Sequence, residues 1–246
     1  MSLRLYVDVE PGLRADLPLD LSPAAARHVQ VLRLQPGSEL TLFDGRGGEW
    51  SARVVKMGRS DVQVVVGEFH AVERELSRQV TLAVGMPANE RFDWLIEKAT
   101  ELGAAAIQPL MTERSVLRVS GERAEKKRAH WQAIAAAAAE QCGRNRVTRI
   151  HPVQDLTTWM STGTPAPGGA AHVLSLAPTA DDMKTAFTDA PAGPLLVLSG
   201  PEGGLSTAEE QLAQDRGFAP LGLGARVLRA ETAPLLVLAG LAALGG

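Results

Sequence analysis

The chain has 246 residues, 45% of them apolar and 22% charged, a balance that suits one large or two modest globular domains with proper cores. Cys142 is the only cysteine, which rules out an intrachain disulfide and a cysteine metal cluster, and the five histidines lack the spacing of a zinc site, so no metal is expected. The net charge of −3 hides an asymmetry: residues 111–149 carry nine basic and four acidic side chains, and residues 150–246 carry four and nine. The middle segment therefore suits either a polyanion or a solvated helical face.

In chain order, Leu3 to Val9 predicts a strand and Ser22 to Leu32 a short helix, with Ser22 as cap and Pro23 at its first position. Short strands follow at Glu39–Phe43, Glu49–Lys56 and Asp61–Glu68. The first two are joined by Asp44-Gly45-Arg46-Gly47-Gly48, which reads as a hairpin turn. Residues 1–72 thus read as a small β-barrel with one helix. Arg27, His28 and Arg33 lie on or just after that helix, where basic groups reach either phosphate or solvent.

Glu68 to Arg78 has the composition of a linker, and from residue 73 to 246 strands alternate with helices. Val80–Val84 reads as a strand. Arg91 to Leu102 reads as an amphipathic helix with Phe92, Leu95, Ile96 and Ala99 on one face and Gly103 just past its end. Ala104–Leu110 is the next strand, and Glu122 to Gln141 a long helix whose alanine-rich half suits close packing. Ser161 to Gly169 reads as a loop, His172–Leu176 as a strand and Asp181–Phe187 as a helix. The alternation predicts an α/β domain with a mostly parallel sheet covered on both faces. Ala233 to Leu244 is almost wholly apolar, too short to span a bilayer, and reads as a helix buried in the sheet's layer or against a partner. With no apolar signal region at the N-terminus, the expectation is a cytoplasmic protein without a membrane partner.

Leu195 to Thr232 holds the motifs with the most chemistry. The apolar run Leu195–Leu198 reads as a buried strand. It ends at Ser199-Gly200-Pro201-Glu202-Gly203-Gly204, where glycines allow a ligand to approach the backbone. Ser206 and Glu209 form a capping box for the next helix. A second strand, Ala219 to Leu223, runs into Gly224-Ala225-Arg226-Val227-Leu228-Arg229-Ala230-Glu231-Thr232. Two glycine-rich strand ends, each before a helix, have the pattern of a ligand crevice, although two ordinary strand-to-helix turns share it. The P-loop, the dinucleotide fingerprint and the Gly-x-Ser-x-Gly elbow are all absent.

These two stretches closely resemble the bacterial 16S rRNA (uracil-N3)-methyltransferase family of the SPOUT superfamily. The likeness extends to Glu97–Gly103, Pro109 with Thr112–Ser115, Ala139–Arg144, and Arg27-His28-Val29 with Leu32-Arg33. It implies a PUA-like RNA-binding barrel followed by an S-adenosylmethionine-dependent methyltransferase domain with a C-terminal trefoil knot, working as a homodimer on 16S rRNA of the small ribosomal subunit. The implied cofactor loops supply Leu174, Leu176, Ser199, Gly200, Pro201, Glu202, Gly203, Gly204, Leu223, Gly224, Val227 and Leu228, with Thr232 beside them. The implied catalytic roles fall to Arg229, opposite the charge developing on the base, and to Glu202 or Glu231 as proton acceptor or orienting group. Arg27, His28, Arg33, Arg114 and Arg144 are the expected RNA contacts. Ala88, Asn145 and Pro234 depart from the family's pattern.

Overall fold

The computed structural model describes residues 3–162, 168–188 and 193–245; residues 163–167 of the expected loop at Ser161–Gly169 lie outside them. The chain divides into two compact units, Met1–Glu75 with Ala136–Val147, and Leu76–Ala135 with Thr148–Gly246.

The first unit contains β1 (Arg4–Tyr6), β2 (Pro18–Asp20), α1 (Pro23–Val31), β3 (Glu39–Phe43), β4 (Glu49–Met57) and β5 (Val62–His70). Its sheet has the order β1-β3-β4-β5-β2, with β1 parallel to β3 and the other pairs antiparallel. Strand side chains alternate between faces, so Val62, Val64 and Val66 of β5 all point inward. They share a core with Leu40, Leu42, Val54 and, from α1, Ala26 and Val29. The β4–β5 pairing shifts register at Trp50/Ala52 and at Val54/Lys56, and such bulges bend a hairpin and increase its twist. As expected from the sequence, Ser22 caps α1 by accepting the Ala25 N–H. β2 was not anticipated: three residues with a proline have no readable period, and pairing with β5 alone holds them in line.

The second unit contains β6 (Val80–Gly85), α2 (Asn89–Glu101), β7 (Ala106–Met111) and most of α3 (Gly121–Cys142), whose residues from Ala136 on count with the first unit. It continues with β8 (Arg149–Ile150), β9 (Gln154–Asp155), α4 (Leu156–Thr162), β10 (Ala170–Leu174), β11 (Asp181–Asp182) and α5 (Met183–Thr188). The last elements are β12 (Leu195–Ser199), α6 (Thr207–Asp215), β13 (Ala219–Gly222) and α7 (Thr232–Gly245). Every strand pair is parallel, in the order β11-β13-β10-β12-β6-β7-β8, with β9 also beside β7.

Ala83, Ala171, Val173 and Leu198 point from this sheet into a core with Met160 of α4, Ala213 of α6, and Leu205 and Phe218. Their neighbours along each strand face the other way, and on that face α7 packs on β12 and α2 packs with α7. Phe92, Leu95, Ile96 and Ala99 of α2 are all fully buried. Phe92 meets Trp131 of α3 edge-on at 4.7 Å, a geometry worth about 0.5–1.5 kcal/mol beyond its buried area. Asp181 and Asp182 were expected to open a helix. Instead they pair with Leu221 and Gly222 as β11, and Asp182 then caps α5 through the Thr185 amide.

The capping box of α6 is complete, and Glu209 uses both oxygens. Oε2 accepts the Ser206 N–H at 2.8 Å, and Oε1 accepts the amide of Glu113, in the β7–α3 connection, also at 2.8 Å. Among the described residues, no helix is long and apolar enough to cross a membrane, and no group of three or more His, Cys, Asp or Glu residues is arranged to hold a metal ion.

Candidate active site

The strands β13, β10 and β12 are neighbours, so the loops leaving their carboxyl ends converge. They line one cavity of about 710 Å³, within the range of sites that enclose a cofactor-sized molecule. Two glycines make the central loop possible. A Cβ on Gly85, at the end of β6, would lie 2.7 Å from Pro201 Cδ, so glycine there lets the loop rest on the strand. A Cβ on Gly200 would lie 2.6 Å from the Leu205 amide nitrogen, which closes the same loop on itself. Arg114 runs along its outside and donates to the carbonyls of Gly203 (2.9 Å) and Leu205 (3.3 Å).

Leu174 and Leu176 line the cavity from the first loop; Ser199, Gly200, Pro201, Glu202, Gly203 and Gly204 line it from the second. Leu223, Gly224, Val227 and Leu228 line it from the third. Leu176 and Val227 are 74% and 79% exposed, an exposure unusual enough for aliphatic side chains to mark an apolar surface awaiting a ligand. Arg229 and Arg114 line the cavity too, as do Arg91, Glu210 and Arg226. Thr232 does not: it is exposed and forms the first residue of α7.

Glu231 stands behind the lining. It is buried; Oε1 lies 3.9 Å from Arg91 Nε and 4.0 Å from Arg229 Nη1, and Oε2 is buried with no hydrogen-bond partner. Glu202 is more open. Its Oε1 accepts the Ala88 N–H at 2.9 Å and faces Arg91 Nη1 at 3.4 Å, and its Oε2 has no bond among the described residues. Ser199 Oγ is also buried without a partner. Buried polar atoms are nearly always satisfied, so Ser199 Oγ on the cavity wall and Glu231 Oε2 behind it leave bonding capacity for a polar ligand. The donor set fits S-adenosylmethionine: aliphatic walls and loop amides for an adenosine, carboxylates for a cation, and guanidiniums for the carboxylate of an amino-acid moiety.

The expected RNA contacts separate. Arg27, His28 and Arg33 are exposed at α1 in the first unit. Arg144 does not behave as a surface cation. It is 3% exposed and its guanidinium meets Glu75 through two hydrogen bonds, Nε to Oε1 at 3.1 Å and Nη2 to Oε2 at 2.5 Å. Its guanidinium is engaged inside the first unit by the Glu75 carboxylate. Arg91 was overlooked, since in the sequence it is simply a basic residue early in an amphipathic helix; its carboxylate partners lie 111 and 140 positions later.

The family model described as RNA methyltransferase domain matches residues 74–242, and the one described as RNA methyltransferase PUA domain matches residues 21–67. The chain is 35% identical to the ribosomal RNA small subunit methyltransferase E of Bacillus subtilis (strain 168), over 85% of this chain and 83% of that protein. The protein of the same name from Synechocystis is also 35% identical, over 99% of this chain and 78% of its own. Among solved structures, a methyltransferase from Legionella pneumophila in complex with the bound cofactor SAM superposes with a TM-score of 0.90 at 34% identity, covering 100% of this chain and 99% of its own. The ribosomal RNA small subunit methyltransferase E of Neisseria gonorrhoeae, bound to S-adenosyl methionine, does so with a TM-score of 0.89 at 32% identity and the same coverage.

Proposed function

The chain belongs to the ribosomal RNA small subunit methyltransferase E family, and on that premise we propose that it transfers a methyl group from S-adenosylmethionine to N3 of a uridine in 16S rRNA of the small ribosomal subunit. The observation that carries the reading is the single cavity into which three separate loops, after β10, β12 and β13, bring aliphatic walls, carboxylates and guanidiniums together. Leu174, Leu176, Leu223, Val227 and Leu228, with the backbone of Gly200–Gly204, would hold the adenosine. S-adenosylmethionine, when bound, supplies an electrophilic methyl group on a sulfonium.

The protein's own work is to position the base and manage one proton. Uracil N3 is a poor nucleophile while it carries its proton, and it lies on the pairing edge, so the base enters unpaired. Arg229 stabilises the negative charge that develops on the uracil oxygens. Glu202, exposed and with Oε2 uncommitted, takes the N3 proton at that atom. Glu231, buried between Arg91 and Arg229, orients the two guanidiniums.

The same reading extends to architecture. Residues 1–72 serve as a closed PUA-like RNA-binding barrel, with Arg27, His28 and Arg33 toward RNA; the two bulges in β4–β5 support its curvature. Residues 73–246 form the methyltransferase domain, its C-terminal segment threaded as a trefoil knot, and two copies associate as a homodimer in the cytoplasm. The exposure of Trp94 on α2 (45%) and of Leu236 and Leu244 on α7 (38% and 76%) supports an intersubunit role for these helices.

The test incubates the protein with labelled S-adenosylmethionine and small subunits lacking the modification, then maps the product by mass spectrometry. The expected result is one methyl group at N3 of one uridine. No incorporation would point to an RNA-binding protein without catalysis, and label on another atom to a different methyltransferase specificity.

A further inference from the structure

A second, smaller recess lies beside the cofactor cavity in the same unit. It measures about 280 Å³ and is lined by Ala88, Val116, Leu117, Arg118 and Arg123, a volume just below that of sites enclosing a whole drug-sized ligand. Its chemistry is two-sided. Ala88, Val116 and Leu117 make an apolar wall, and Val116 is 74% exposed on it. Arg118 Nη2 donates to the carbonyls of Thr112 (3.2 Å) and Glu113 (2.8 Å), and its other nitrogens make no hydrogen bond among the described residues. Arg123, exposed in the first turn of α3, makes no ion pair among the described residues.

Two links join this recess to the active site. The N–H of Ala88, which lines the recess, donates to Oε1 of Glu202, which lines the cofactor cavity. The loop from Thr112 to Arg118, stiffened where Ser115 Oγ accepts the Thr112 amide, places Arg114 on the cofactor cavity and Val116 and Arg118 on the recess. A flat apolar group carrying an anion suits this lining, and single-stranded RNA offers both in every nucleotide. Arginine planes and aliphatic walls take a base face, and open guanidiniums take its phosphate.

Resting on the uridine-methyltransferase reading, we propose that the recess is a subsite for a nucleotide flanking the reacting uridine, its base against Ala88, Val116 and Leu117 and its phosphate between Arg118 and Arg123.

The test measures steady-state methylation of unmodified small subunits over a range of salt, with S-adenosylmethionine affinity read separately by calorimetry. Arg123→Ala, which breaks no side-chain bond among the described residues, removes the phosphate contact, and Ala88→Leu fills the base space without changing charge. Each is expected to raise the KM for subunits by about tenfold, the size of one good nucleotide contact, and in Arg123→Ala kcat and cofactor affinity stay at wild-type values. Arg123→Ala alone should also flatten the dependence of log KM on log salt by roughly 0.7, as for one phosphate on a single strand. Wild-type KM and salt slope in both variants would overturn the subsite while leaving the reaction intact. An inactive wild-type protein would overturn the reaction first.

Discussion

Two arginine–glutamate clusters in this protein have the same ingredients and opposite states. In the first unit, Arg144 is buried and doubly bonded to Glu75, and the neighbouring Asn145 accepts from Arg4 and donates to the Val72 carbonyl. In the second unit, Arg91, Glu202, Arg229 and Glu231 stand at 3.4 to 4.0 Å, with one buried carboxylate oxygen unpartnered. The closed cluster holds its own fold together. The open one borders a cavity and has bonding capacity left over, which is the condition of a site that completes itself with a ligand. Residue type does not separate the two; the bonding of the carboxylates does, since Glu75 accepts from Arg144 at both oxygens while Glu231 Oε2 has no partner.

The comparison breaks most sharply under substitution. Arg144→Ala strands the Glu75 carboxylate, and removing one partner of a buried pair costs about 3–5 kcal/mol; Glu75 is still 21% exposed at its side chain, so about 3 kcal/mol is expected in urea unfolding. A variant as stable as wild type would show that this cluster is not what closes the first unit. Arg229→Ala should do the reverse. Its side chain is 74% exposed, so the melting temperature should hold, while methylation falls by a factor of about 10²–10³, the usual effect of losing one charge-stabilising donor. Calorimetry should still detect cofactor binding.

Gly200→Ala sharpens the same contrast at the backbone. The new Cβ meets the Leu205 nitrogen and Gly204, so the loop must shift, and about 1–3 kcal/mol of cofactor affinity should be lost. An unchanged dissociation constant would mean that this loop does not grip the ligand.

The smallest effect concerns pH. His172, on β10 against Phe187, has its pKa lowered first by burial, with Arg78 adding to the shift and the Ala219 backbone and Asp181 opposing it. The unfolded chain takes up this proton near pH 6.5, before the folded state does. Stability from the neutral imidazole is therefore full above that range and declines as pH falls through it toward the folded pKa. His151 is shifted the same way, by burial and then by Arg149 and Arg128. Replacing His172 with Gln should flatten only part of the slope between pH 7 and 5 in unfolding measurements, and an unaltered slope would assign all of it to other groups.

What was legible in the sequence was local. The capping box at Ser206, the apolar face of α2 and the turn at Gly103, where φ is +94°, each depend on neighbours a few positions away. The loops that line the cavity were legible because glycine-rich strand ends have a pattern and a family likeness. β2, β8, β9 and β11 were not, since segments of two or three residues become strands only through pairing with distant partners. The same limit governed the arginines. Arg144 and Arg114 look alike in a basic segment, yet Glu75, 69 positions away, makes the first internal, while the second braces a loop 89 residues downstream.

Glu209 shows where that limit becomes a constraint on mutation. One carboxylate serves two amides, its own helix's Ser206 and the loop residue Glu113. Glutamine offers a single acceptor oxygen and aspartate lacks one methylene of reach, so either serves only one of the two. The alphabet of twenty side chains holds no synonym for this position. A point change here is read in two places at once, as a frayed helix and as a loosened connection between β7 and α3.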